Sequence, residues 1–207
     1  MKNLKVGKKF LVSFGIILTL FLVSVVAAGI GISKSKASYE KFYEEDYHAI
    51  ANIYEMRISL QRALKELLLS VVTTDSSQTE QRIATVDQHV SNIREKLQWI
   101  YSNYSGDVSL LKDFETKMNE AKSLRLQIYE YARMNNEEGS RMAQELLLNE
   151  YNPKTEEFAS ILQTAFDNME TGCQDTYETA MALDNALLAL AVVIAVVAFG
   201  ITCVIAV

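Results

Sequence analysis

Residues 10–32 read FLVSFGIILTLFLVSVVAAGIGI, 23 residues without a charged side chain. Coiled as a helix, such a run is long enough to cross a hydrocarbon core of about 30 Å. Lys2, Lys5, Lys8 and Lys9 stand just before it with no acid among them. Lysines beside a first span stay on the cytoplasmic side, so the chain is expected to leave the membrane outward after Ile32. Residues 186–207 repeat the signal with 22 uncharged residues. The domain organisation this predicts is a cytoplasmic basic tail (1–9), a first transmembrane helix (10–32), an extracytoplasmic segment (33–185) and a second transmembrane helix (186–207). A cleaved signal peptide is the competing reading of the first run, given its basic start and the small residues Ala27, Ala28 and Gly29. Its apolar core is about twice the usual length for that role, and no polar segment precedes those small residues, so a retained span is expected.

Between the spans lie about 150 residues, enough for one domain with a real core. One proline and eight glycines, four of them inside the spans, are too few for the many turns of a β-sandwich. Plentiful Ala, Leu, Glu, Gln, Lys and Met favour helix. The net charge of −6 is unevenly spread: four of the 20 Lys and Arg precede the first span, and the other 16 share residues 34–185 with all 26 Asp and Glu. An acidic ectodomain argues against nucleic acid and anionic headgroups as partners. It does not by itself imply a cationic ligand, because solvated bundle surfaces are often acidic. The two cysteines form no disulfide framework: Cys203 falls in the second span, and Cys173 is either a buried thiol on an apolar stripe or an intermolecular bridge.

Helical periodicity fills the middle segment. From residue 34 to about 72, Tyr43, Tyr47, Ile50, Ile53, Leu60, Leu64, Leu67 and Val71 recur at three and four, with one turn skipped at Arg57. Residues 73–76 interrupt this helix, and Ser77-Gln78-Thr79-Glu80 has the form of a capping box. A second helix over about 78–101 carries Ile83, Val86, Val90, Ile93, Leu97, Ile100 and Tyr104 in a strict heptad, the mark of near-parallel packing. A third, over about 108–134 with Asp107 as its cap, shows Leu111, Phe114, Met118, Ala121, Leu124, Ile128 and Tyr131. Its two successive spacings of three predict a local stammer. A short helix over about 138–148 is then expected to stop at Asn152-Pro153, where asparagine caps a last helix and proline takes its first position. That helix carries Phe158, Leu162, Ala165, Met169, Cys173, Tyr177, Ala180 and Leu183, and no glycine or proline lies between Cys173 and Phe199 to break its path into the second span. The fold class predicted is all-α: an antiparallel up-down four-helix bundle flanked by two transmembrane helices. Within the spans, Ser24 and Ala28, Ala27 and Gly31, and Ala191 and Ala195 place small residues four apart, as close helix contacts in a dimer or ordinary alanine use both would.

No catalytic pattern appears. His48 and His89 fall on different helices without ligands at metal-binding spacing, and no phosphate loop, nucleophile elbow or HExxH motif is present. No enzyme activity, metal or cofactor is expected. A helical segment tethered at both ends to one membrane reads instead as a sensor.

The opening MKNLKVGKKFLVSFGIILTLFLVSVVAAGIGI resembles that of bacterial methyl-accepting chemotaxis proteins with a four-helix-bundle sensor domain. IYEMRISLQRA at residues 53–63, followed by the turn at 73–77, resembles the first helix of that sensor and its exit. The resemblance implies a homodimeric receptor in the bacterial cytoplasmic membrane that binds a small molecule or a loaded solute-binding protein. It would act on a cytoplasmic kinase and adaptor through a signalling region that is not among these residues. Histidine kinases and cyclic-dinucleotide enzymes carry similar input domains, and a non-sensing membrane-anchored scaffold is a further alternative. In such receptors arginines on the first helix grip a carboxylate, which singles out Arg57 and Arg62. Arg57 stands where the stripe is expected to place another apolar residue, and a guanidinium there needs a partner, either a ligand or an acid on a neighbouring helix. Thr164, Asn168 and Thr171 form a polar strip on the last helix that either lines the same pocket or faces solvent. Tyr54 and Phe158 are candidates to wall that pocket or to belong to the core.

Overall fold

The computed structural model describes residues 6–206, apart from the side chains at 6, 8, 9, 13 and 202–206. Lys2, Lys5, the side chains of Lys8 and Lys9, and the Cys203 thiol therefore lie outside the described residues. Among the described residues all regular structure is helical: α1 (Val6–Lys41), a π turn (Phe42–Tyr47), α2 (His48–Val72), α3 (Ser76–Asn103), α4 (Ser109–Glu120), α5 (Lys122–Arg133), α6 (Glu137–Leu146), a second π turn (Leu147–Tyr151) and α7 (Asn152–Ala206). Three joints do not break the helical path, so these elements make four long helices, two of which contain runs long and apolar enough to cross a membrane. The chain divides into two compact units, residues 44–173 and the residues before and after them.

Residues 44–173 form the antiparallel four-helix bundle, built on heptads. α2 buries Ala49, Ile53, Met56, Leu60, Ala63, Leu67 and Val71, and α3 buries Ile83, Val86, Val90, Ile93, Leu97 and Ile100. Leu111, Phe114, Met118, Ala121, Ile128 and Ala132 face them from α4 and α5, and Phe158, Leu162, Ala165 and Met169 from α7. Phe114 and Phe158 meet edge to face with centroids 5.8 Å apart, the arrangement their ring quadrupoles favour. Ion pairs at the margins fix the order of the helices. Arg82 Nη1 lies 2.9 Å from Glu66 and Lys96 Nζ 2.8 Å from Glu55, so α3 runs opposite to α2. Arg133 joins Glu80, and Lys117 joins Glu157, each at 2.8 Å. Such pairs contribute about 0–1 kcal/mol each; the stability lies in the apolar layers.

Local signals set the helix ends. Asp75, not the Ser77 box, caps α3: its Oδ1 accepts from the Gln78 N–H at 2.8 Å. Asn135 adopts a left-handed φ of 48°, which asparagine tolerates better than most residues, and Asn136 caps α6 by accepting from the Gly139 N–H. Asp107 accepts from both the N–H and the hydroxyl of Ser109, the first residue of α4.

Other expectations give way, and Tyr177, expected on the buried stripe of the last helix, is exposed. Tyr43 and Tyr47 are exposed, because the π turn at Phe42–Tyr47 shifts the register and the buried positions run through Asp46 and Ala49 instead. There is no stammer after Met118: the stripe continues Ala121, Arg125, Ile128 and Ala132 at three and four, and Leu124 and Tyr131 sit at its edge. Asn152 opens α7 but caps no free helix end. Asn152 has helical torsions, and its N–H bonds to the Leu147 carbonyl five residues back. Proline has no N–H to give and crowds the preceding turn. The wider π turn accommodates it, and the helix runs on.

In the other unit α1 and α7 meet along a narrow seam. Gly31 is buried, and a Cβ there would run into the Leu187 side chain. Ser35 Oγ donates to Asp184 at 3.3 Å, and the Phe42 and Tyr177 rings stand 6.4 Å apart. Phe10, Phe14, Phe21, Leu188, Val192 and Phe199 point outward and are exposed, as side chains solvated by lipid would be.

Candidate functional site

Thr171 is exposed and its hydroxyl donates to the Asp167 carbonyl of its own helix; the other six residues singled out from sequence occupy three environments. Tyr54 and Arg62 are exposed on α2. Arg57 is half-buried, but it does not replace a missing core residue: Met56, fully buried, fills that layer. The Arg57 guanidinium instead lies over the Phe166 ring, 5.3 Å from its centroid, a cation–π contact between α2 and α7. Among the described residues Arg57 makes no ion pair, so its hydrogen-bonding fork is not committed to a carboxylate. Thr164 and Asn168 are exposed on α7, one turn apart and on the other side of the helix from Phe166. The Thr164 hydroxyl donates to the Ser160 carbonyl in its own helix at 3.0 Å. Asn168 lines a small cavity of about 130 Å³ with Tyr104, Asp107 and Ser109. Phe158 is buried in the core on Phe114. Phe166 is two residues from Thr164 and from Asn168, across the helix from both, so the structure brings Arg57 to Phe166 and not to Thr164 or Asn168.

Two features escaped the sequence reading. The first is a buried polar layer. Arg125 is 5% exposed on the inner face of α5, and its Nε has no hydrogen-bond partner. Tyr129 and Tyr151 lie beside it. Burial pushes the Tyr151 phenol up, and the neighbouring guanidinium pulls it partly back. Burial likewise raises Tyr129, whose hydroxyl donates to Asp87 at 3.0 Å. Strict alternation of three and four from Leu111 through Ala132 puts Arg125 in the core, and that was the signal to follow.

The second is a groove of about 410 Å³ between α2 and the junction of the second π turn with α7. Its floor is apolar, with Leu64, Leu68, Leu147 and Ala159. Lys65 stands on the α2 wall and Glu156 on the α7 wall. Among the described residues neither side chain forms an ion pair. Periodicity does not reveal this groove, because its walls are far apart in the sequence and its shape depends on the π turn.

Among the described residues no three His, Cys, Asp or Glu side chains gather as metal ligands. His48 meets the Trp99 ring at a tilt, with centroids 5.6 Å apart. Cys173 is half-buried and free, its thiol raised by burial and then by the carboxylates of Asp46 and Glu170.

Four long helices around one apolar core, two of them carrying membrane-length apolar runs, define a helical-bundle input module. A family model described as a four helix bundle sensory module for signal transduction matches residues 3–183. The chain belongs to that family, which is a sensory and not a catalytic one. Neither a curated protein nor a solved structure matches it.

Proposed function

We propose that this sensory module is the ligand-sensing, membrane-anchored part of a chemotaxis receptor in the bacterial cytoplasmic membrane. In this reading residues 10–32 and 186–207 span the bilayer, residues 1–9 are cytoplasmic, and the bundle lies outside. A bound small solute, or a loaded solute-binding protein, shifts the last helix against the first by about 1–2 Å. That displacement passes to a cytoplasmic region outside this chain, where a kinase and adaptor respond. The observation that carries the reading is α7, a single helix over Asn152–Ala206 in a chain of the sensory family. With no interruption to absorb strain, a rigid helix transmits a small axial movement along its length.

The chemistry of the α2 face supports a carboxylate as one ligand class, with Arg57 and Arg62 as its cations. Tyr54 would contact the rest of the molecule and Phe158 would back the site from the core, while Thr164 and Asn168, on the other side of α7 from Phe166, stand apart from it. Exposed Tyr54 and Leu68 on α2, with Gln61 midway between them, offer a homodimer partner a row at seven-residue intervals on one helix face. Thermal unfolding of the full chain in lipid nanodiscs, with a panel of small carboxylates, tests the reading. At least one carboxylate is expected to raise the midpoint, and Arg57→Ala or Arg62→Ala to abolish the rise. A panel that leaves the midpoint unmoved counts against sensing through this face. An input domain of a histidine kinase or cyclic-dinucleotide enzyme would give the same binding result with a different output.

A further inference from the structure

We propose that the second π turn, Leu147–Tyr151, is the joint at which α7 slides against the rest of the bundle, with the Arg125 guanidinium as the catch at its head. The inference rests on the reading that α7 carries the signal, and it names where that movement is allowed.

α6 and α7 follow one path but are held differently. α6 is clamped on α5: a Cβ at Gly139 would stand 2.5 Å from the Tyr131 carbonyl oxygen, and Ala143 and Leu147 are buried. α7 is braced from its first turn, where the buried Thr155 hydroxyl donates to the Tyr151 carbonyl at 2.8 Å. The give lies between them. The Asn152 N–H bonds to the Leu147 carbonyl five residues back, and in an α turn it would bond to Leu148. Pro153 has no N–H to compete for either carbonyl. One N–H moving to the next carbonyl therefore tightens the turn while α6 and α7 each stay helical. Tightening by one residue changes the offset between them by about one residue rise, about 1.5 Å. Helix shifts of that size are enough to switch a packed interface.

Arg125 gives the movement two stopping points. Its side chain is 5% exposed and that of Tyr151 6%, and the guanidinium donates to the Tyr151 phenol oxygen. Among the described residues Arg125 Nε has no hydrogen-bond partner. A guanidinium is a rigid planar fork of five N–H groups, so a phenol displaced along it leaves one donor and meets the next. A buried donor without a partner is costly, and the slide passes that cost from one N–H to another without adding to it. A carboxylate in place of the phenol would pair with two donors at once and hold a single register.

Hydrogen exchange read by mass spectrometry, on the full chain in lipid nanodiscs without ligand, tests the joint. Residues 147–152 are expected to exchange about tenfold faster than 158–169 in the same helix. Tyr151→Phe keeps the ring and removes the hydroxyl. It should speed exchange at 147–152 about fivefold and leave 83–100 in α3 unchanged. Pro153→Ala, which supplies the missing N–H, should slow exchange at the joint. The displacement itself is read at a distance. With cysteines at Ser35 and Asp184, and Cys173 and Cys203 replaced by serine, Tyr151→Phe should change the crosslinking rate about threefold. The inference is overturned by exchange at 147–152 as slow as at 158–169, by no slowing in Pro153→Ala, or by a crosslink that Tyr151→Phe leaves unchanged. If one of these is found while a carboxylate still raises the unfolding midpoint, the joint fails and the sensing function stands.

Discussion

Gly139 and Gly172 show how much a single position depends on what surrounds it. A Cβ at Gly139 would stand 2.5 Å from the Tyr131 carbonyl oxygen and 2.6 Å from the Met134 Cβ. Both atoms are anchored in the backbone and cannot move aside cheaply. Gly172 lies in the interior of α7 with open space where its Cβ would be. Gly139→Ala is expected to cost about 1–3 kcal/mol by overpacking, and Gly172→Ala to add about 0.5–1 kcal/mol through helix propensity. Denaturant titration of the two variants checks the opposite signs. The buried phenols give a pH signature. Burial, then the Glu115 carboxylate, raises Tyr101, and Tyr129 and Tyr151 are raised as well. For an acid whose folded pKa is raised, stability is fully present below the unfolded value of about 10 and is lost as pH rises above it, because the unfolded chain ionises first. The bundle is therefore expected to weaken above about pH 10, with a shallower decline in Tyr129→Phe. Identical alkaline profiles in both proteins would contradict this assignment. Arg125 was the residue least legible in the sequence. A charge in a core layer contradicts the hydrophobic pattern, and a reader following apolar residues steps around it to Leu124.

At the scale of elements, most of the helices were legible and the joints were not. The α3 heptad has an apolar residue in every layer from Ile83 to Ile100, and all of them are buried. In α2 the layers filled by Ala49 and Ala63 carry too little apolar weight to mark a stripe, and Met56 went unread beside Arg57. The larger Tyr43 and Tyr47 drew the expected stripe off its true line. The π turns are harder still. Nothing in FYEEDY or LLNEY distinguishes a turn closed over five residues from one closed over four, and Asn-Pro normally announces a new helix. Only the tertiary demand that α6 and α7 share a path makes the π turn the cheaper solution. Helix caps are closer to the sequence. Asp75 holds the Gln78 N–H, so Asp75→Ala is expected to cost about 0.5–2 kcal/mol, while Ser77→Ala costs little. Chemical denaturation of the pair decides which residue caps α3.

At the scale of the whole molecule, the bundle and the apolar seam are each built for a defined helix register. Small and polar residues in the seam, Gly31 against Leu187 and Ser35 against Asp184, fix where α1 and α7 meet. Packed seams of this kind hold discrete arrangements and resist gradual deformation, which suits a module that reports two states. The class of protein was legible because two uncharged runs bracketing an acidic helical segment leave few alternatives. The ligand chemistry was not, because the groove and the Arg57 contact with Phe166 exist only once α2 and α7 are side by side. The most direct test follows the seam. Cysteines at Ser35 and Asp184, in a chain with Cys173 and Cys203 replaced by serine, should form a disulfide in membranes. The account predicts that a ligand stabilising the bundle changes the rate of that crosslink. A rate that stays the same at saturation with every such ligand would show that binding does not move α7 against α1.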